Sequence, residues 1–263
     1  MNLDLKGKSV LVTGGNRGVG LGIALAFADE GANVAICGRD KAALADAEAK
    51  IAAKGVKVKA VAVDLFTAEG CIAAVQAPVD AFGGLDVLVN NASTSISGNI
   101  ETLDDEGLME RLQGKTLAYM RCCRAALPHL RKSGRGRVIC IGGGAARHAG
   151  ATALPSALGN SSVIAFVNQF SRTVAAQGIT ANTVHPSFTK TDRYPQRLAA
   201  RAKELGVSEA EAEKSFIKQF PIGRIVEPKD IAPMVLFLAS PHASAITGQS
   251  IAVDGGSIPG IFY

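Results

Sequence analysis

Thr13-Gly14-Gly15-Asn16-Arg17-Gly18-Val19-Gly20 gathers four glycines directly after the apolar run Val10-Leu11-Val12. Glycine at such spacing lets a backbone turn sharply and brings its N–H groups close to a ligand with no side chain in the way. A helix that starts there offers free N–H groups and a partial positive charge. A pyrophosphate suits that chemistry. Glycine clusters also serve as plain connectors, but this one lies between a first strand and a first helix, the setting a dinucleotide site needs. The candidate contacts are Gly14, Asn16, Arg17, Gly18, Val19 and Gly20.

Positioning such a turn requires a sheet, and the rest of the chain supplies one. Apolar runs predict strands at Ser9–Thr13, Asn33–Cys37, Val56–Val63, Leu85–Asn90, Arg137–Ile141, Ile179–His185 and Ser250–Val253. Helical spacing fills the stretches between them, as at Gly18–Glu30, Lys41–Lys54 and Val163–Gln177. VLVTG, VAIC and DVLVN are continuously apolar, as strands buried on both faces are. Strand and helix in alternation predict an α/β fold: a doubly wound parallel sheet of about seven strands with right-handed crossovers. Nothing in the composition splits the 263 residues, so one domain is expected, with residues 194–222 as an inserted helical flap.

Composition narrows the function classes. Apolar residues make up 48%, which excludes disorder as the main state. The net charge is +5, from 28 Lys and Arg against 23 Asp and Glu spread along the chain, so no nucleic-acid partner is expected. No apolar run approaches the ~20 residues of a membrane span. The start, MNLDLKGKSVLVTGG, has no secretory pattern, and Cys37, Cys71, Cys122, Cys123 and Cys140 have no metal-ligand spacing. A cytoplasmic protein with reduced thiols and a small-molecule substrate is the expectation.

The glycine turn, in the form Thr-Gly-x-x-x-Gly-x-Gly, resembles that of the short-chain dehydrogenase/reductase family. Asp64-Leu65 after strand three and Asn90-Asn91-Ala92-Ser93 after strand four match further family motifs. So do Asn182, Pro186 and Thr191 with Phe188 between them, Gly223-Arg224, Pro228-x-Asp230-Ile231-Ala232 and Val253-Asp254-Gly255-Gly256. The resemblance spans essentially the whole chain. It implies a Rossmann-type domain, a nicotinamide cofactor and a homodimer or homotetramer. Asp64, Leu65, Asn91, Ala92, Pro186, Phe188 and Thr191 become cofactor contacts by that likeness. An acid at the end of strand two would select NAD(H) by bonding the ribose hydroxyls. Gly38 stands there, followed by Arg39. Arg17 and Arg39 can hold a 2′-phosphate by charge-assisted hydrogen bonds, so NADP(H) is expected.

The family's usual catalytic set is Asn, Ser, Tyr and Lys. Its tyrosine moves the proton, its lysine assists that tyrosine, its serine orients the carbonyl and its asparagine holds a water. By the same alignment Gly143 stands at the serine position, Ser156 thirteen residues on at the tyrosine, Asn160 four further at the lysine, and Lys115 at the asparagine. Ser156 cannot replace a phenol as an acid. Lys and Asn are exchanged between 115 and 160, which makes a desolvated Lys115 a candidate for orienting or protonating a substrate oxygen. Pro155-Ser156-Ala157 partly resembles the 2,4-dienoyl-CoA reductase branch, whose lysine and relocated tyrosine are missing here. His148, after strand five, and Tyr194, at the flap, are alternative donors, while Tyr119 reads as a packing or interface residue and His185 as a structural residue near the cofactor.

Three readings follow. One is an NADP(H)-dependent oxidoreductase with a non-standard active site, acting on a small carbonyl, alcohol or enoyl compound. Another is a catalytically silent NADP(H)-binding sensor or scaffold. The third is non-redox chemistry like that of halohydrin dehalogenases, which lack a working nucleotide turn. The loops Thr94–Leu103, Ala145–Leu154 and Thr189–Phe220 are expected to wall the cleft; the first two carry one charge each, favouring an uncharged or modestly polar substrate.

Overall fold

The computed structural model describes residues 2–259. Seven strands form one sheet: β1 (Ser9–Thr13), β2 (Asn33–Gly38), β3 (Val58–Ala62), β4 (Val87–Asn90), β5 (Arg137–Ile141), β6 (Thr180–Pro186) and β7 (Ser250–Val253). Their order is β3-β2-β1-β4-β5-β6-β7, and every pairing is parallel. The expected α/β doubly wound sheet is therefore the observed one. β1, β4, β5 and β6 are buried along their whole length, which is why they read as unbroken apolar runs. β3 runs two residues shorter at its start and one at its end than expected. It is an edge strand paired only to β2, with partly exposed positions.

Helices α1 (Gly18–Asp29), α2 (Lys41–Ala52) and α9 (Pro228–Ala239) lie on the face cored by Val10, Ile23, Phe27, Ile36 and Leu236. The opposite core, with Leu11, Leu88, Cys122, Val138 and Val167, belongs to α3 (Ala68–Phe82), α5 (Ala118–Lys132) and α6 (Leu154–Val174). Residues 194–222 contain α7 (Tyr194–Leu205) and α8 (Glu209–Ile217), the latter opened by a Ser208–Glu211 capping box. The strand order reverses between β1 and β4, and in such sheets the crevice at the carboxyl ends beside that point takes the ligand. α4 (Asp105–Leu112) continues into α5 through a π turn over Gln113–Leu117. All five cysteines are buried free thiols. Among the described residues no helix is long and apolar enough to cross a membrane.

Candidate active site

A cleft of about 640 Å³ opens at the carboxyl ends of the strands and runs past the β1/β4 reversal. Its floor is the glycine turn. A Cβ at Gly20 would lie 2.3 Å from Gly14 O and 2.4 Å from Asn91 Nδ2, so only glycine lets the first turn of α1 approach β1 this closely. Gly14 and Gly18 hold φ of +63° and +56°, the left-handed region. Thr13 Oγ1 accepts from the N–H groups of Asn91 and Ala92, at 2.9 and 3.1 Å. The Asn91 amide donates to Thr13 O at 2.9 Å and Gly14 O at 3.2 Å. Asn91 thus braces the glycine turn against β4. No side chain caps the start of α1, so its first N–H groups are left for a ligand.

Of the cofactor residues expected from sequence, Gly14, Asn16, Arg17, Gly18, Val19, Gly20, Arg39, Asp64, Leu65, Asn91, Ala92, Pro186 and Thr191 all line the cleft. A Cβ at Gly38 would sit 2.9 Å from Asn16 Oδ1, so Asn16 fills the place where a larger residue at the end of β2 would project. Arg39 packs its guanidinium 5.9 Å above the Phe66 ring. Among the described residues neither Arg17 nor Arg39 forms an ion pair within the chain. An uncapped helix start, a side-chain-free cradle and two such guanidinium groups fit a pyrophosphate with an additional phosphate. Phe188 does not line the cleft. It stacks on Phe216 of the flap at 4.6 Å and meets Tyr194 edge-on at 6.0 Å.

The inner end of the cleft centres on Lys115, in the π turn. Gly114 permits that turn to press close, because a Cβ there would lie 2.7 Å from Thr94 Cγ2 and 2.8 Å from the Phe66 ring. Lys115 is 2% exposed yet lines the cleft. Its Nζ donates to Ile141 O at 2.7 Å, to Tyr119 Oη at 3.3 Å and weakly to Gly142 O at 3.5 Å. Burial, helped by the nearby Arg111 guanidinium, pulls its pKa down to about 7. Tyr119 is 1% exposed and donates to Ile141 O at 3.1 Å. Burial drives its pKa upward, and it is a packing residue beneath the lysine, as expected.

Gly143 and Ser156 line the cleft, but Asn160 stands behind Gly143. A Cβ at Gly143 would lie 2.7 Å from Asn160 Nδ2, and Asn160 Oδ1 is buried without a partner among the described residues. His185 holds the same turn from below. Its Nδ1 lies 3.1 Å from the Gly143 nitrogen and 3.2 Å from Gly143 O, and its Nε2 lies 2.8 Å from Ser250 Oγ. Burial lowers the His185 pKa to about 4, so the ring is neutral.

Two expected donors are displaced. His148 is exposed and outside the cleft. Arg147 beside it donates to Ser250 O at 2.6 Å, and the Gly144–Ala146 turn carries residues 145–154 away from the cleft wall. Tyr194 is buried in the flap and donates to Glu213 Oε1 at 2.9 Å, outside the cleft.

Arg111 is the residue that sequence reasoning missed. It is 5% exposed and lines the cleft, and its Nη1 donates to Ser93 Oγ at 2.6 Å and to Thr94 O. The only sequence signal was its position four residues before Lys115, which also describes an ordinary solvated helix face. The loop Thr189–Phe220 also brings Asp192, Arg193 and Arg197 to the cleft wall, against the expectation that the loops would supply few charges there.

Comparison with known proteins fits this geometry. A family profile described as Enoyl-(Acyl carrier protein) reductase matches residues 14–257. The chain belongs to the short-chain dehydrogenase/reductase family. It is 33% identical over 254 residues to the 3-oxoacyl-(acyl-carrier-protein) reductase FabG of Vibrio cholerae serotype O1, covering 97% of this chain and 98% of that protein. It is 29% identical to the NADPH-dependent reductase BacG of Bacillus subtilis, covering 97% and 99%. The crystal structure of L-sorbose reductase from Gluconobacter frateurii, complexed with NADPH and L-sorbose, superposes with a TM-score of 0.95 at 29% identity, covering 99% of this chain and all of that one.

Proposed function

We propose that this chain is an NADP(H)-dependent reductase of small carbonyl compounds in which Lys115, not a tyrosine, is the proton donor. The broad class is an oxidoreductase, and its cofactor is NADP(H). The observation that carries the finer reading is the Lys115 ammonium. It is buried at the inner end of the glycine-floored cleft and tuned to about 7, where a general acid works best near neutral pH. That the lysine lines the cleft and not a sealed core favours catalysis over a silent binder or scaffold.

When bound, NADPH supplies the hydride. The chain's residues do the rest. Gly14, Gly18 and the start of α1 would hold the pyrophosphate, Arg17 and Arg39 would hold the 2′-phosphate, and Asp64 would contact the adenosine portion. Ser156, which lines the cleft, orients the carbonyl oxygen. Lys115 Nζ gives that oxygen a proton by turning the N–H that makes its weakest contact, to Gly142 O. Ile141 O and Tyr119 Oη keep the ammonium in place while it does so. Asn160 and His185 position the Gly143 turn. The four residues Lys115, Gly143, Ser156 and Asn160 thus make a non-standard set for the family.

The buried free thiols suit a cytoplasmic location, and a homodimer or homotetramer is the proposed assembly, checked by light scattering. The test of function is a screen of carbonyl substrates for NADPH consumption, with Lys115→Met as the control. Consumption that Lys115→Met abolishes while still binding NADPH supports the proposal. Undiminished consumption in that variant refutes it.

A further inference from the structure

The inner end of the cleft holds two buried cations and no acid. Arg111 is 5% exposed and Lys115 2%, and both line the cleft beside Ser93, Thr94 and Ser156. The acids that reach the cleft lie elsewhere along it. Asp40 caps α2, Asp64 follows β3, and Asp192 stands beside Gly18 at the glycine turn. Among the described residues neither Arg111 nor Lys115 makes an ion pair. Arg111 Nη1 is held by Ser93 and Thr94, while its Nε has no partner. Burying an unpaired charge is expensive, so buried charges are normally paired or bound to an ion. Lys115 meets that cost by its lowered pKa, but Arg111 keeps its charge, and among the described residues no acid is paired with it, which leaves its counter-charge to an anion from outside.

We infer that the inner end of the cleft receives the carboxylate of the substrate, with Arg111 as its anchor, so that the compound reduced is a short oxo acid. This rests on the reductase reading above. A guanidinium is the side chain best matched to a planar carboxylate. Arg111 and Lys115 are four residues apart on one helical stretch, so their heads are neighbours. A carboxylate at Arg111 and a reacting carbonyl at Lys115 therefore belong to the same small molecule, a few bonds apart. The oxo carbon takes a hydride from NADPH and its oxygen takes a proton from Lys115, giving the hydroxy acid and NADP+. The Ser93 hydroxyl accepts from Arg111 Nη1 and fixes that end of the guanidinium at a residue of the cleft wall.

The test is calorimetric and needs no turnover. Protein saturated with NADP+ is titrated with 2-oxobutyrate and, separately, with the uncharged 2-oxobutyramide. The acid is expected to bind at least about tenfold more tightly, the factor that one charge-assisted hydrogen bond carries. Arg111→Gln should erase the difference and leave NADP+ affinity unchanged. Arg111→Lys should keep part of it, and this variant decides the matter if Arg111→Gln does not fold. Equal affinities in the wild type, no binding of either compound, or a preference that survives Arg111→Gln would each overturn the inference. If NADP+ itself fails to bind, the reductase reading falls. The same pair of titrations on the cofactor-free protein then still decides whether the anion site exists.

Discussion

Lys115 Nζ is the acid in reduction, so the rate must follow its protonated fraction. With a pKa of about 7, that fraction is about one half at pH 7 and about one hundredth at pH 9. The kcat/KM for carbonyl reduction should be flat below pH 6 and fall about tenfold per pH unit above pH 7. The reverse oxidation needs neutral Lys115 and should run the opposite way. Arg111 is the cation that helps hold the lysine down, while Tyr119, Cys140 and His185 are other titratable groups near it. Arg111→Gln should therefore move the falling limb to higher pH. Lys115→Met should lose about 10²–10⁴-fold in kcat and remove the limb altogether. The assay is NADPH consumption by stopped flow from pH 5.5 to about pH 9.5, with NADPH binding measured on each variant. A limb of the same position in Lys115→Met, or a flat wild-type profile, would refute the reasoning.

The same buried lysine should weigh on stability. The unfolded chain binds its proton up to about pH 10.5 and the folded chain only up to about pH 7, so between those values stability rises with pH by up to about 1.4 kcal/mol per unit. Lys115→Met should be the more stable protein in urea at pH 7, with the gap narrowing toward pH 10; a gap independent of pH would contradict this. Gly143→Ala pushes a methyl to 2.7 Å from Asn160 Nδ2 and should cost about 1–3 kcal/mol. Asn160→Ala in the same chain should recover most of that cost in a double-mutant cycle, and strict additivity would mean the two sites do not touch. Arg39→Ala should weaken NADPH binding by about tenfold or more and leave NADH unchanged, as read by fluorescence titration. Equal losses for both would remove Arg39 from the phosphate clamp.

Much of this molecule is local in its sequence. β1, β4 and β5 are buried on both faces, so their apolar runs announce them, and the glycine turn follows β1 without a gap. The residues that went unread depend on distant partners. Arg147 reaches Ser250, 103 positions away, and in doing so takes His148 from the cleft. Phe188 is drawn into the flap by Phe216. Lys115 was legible from its exchange with Asn160, but Arg111, buried by α4 beside it, was not, because MERLQGK has the polar look of a solvated helix. Periodicity reports which side of a helix is apolar, and a buried cation defeats it because its burial is set by tertiary packing.

A thermal-shift titration of the wild-type protein with NADPH and with NADH goes to the root of the matter. At 100 times its Kd a ligand adds about 2.7 kcal/mol, which for a chain of this size is a rise of roughly 5–10 °C. The phosphate clamp at Arg17 and Arg39 predicts that rise with NADPH, and a much smaller one with NADH at the same concentration. No shift with NADPH, or equal shifts with both, would contradict it.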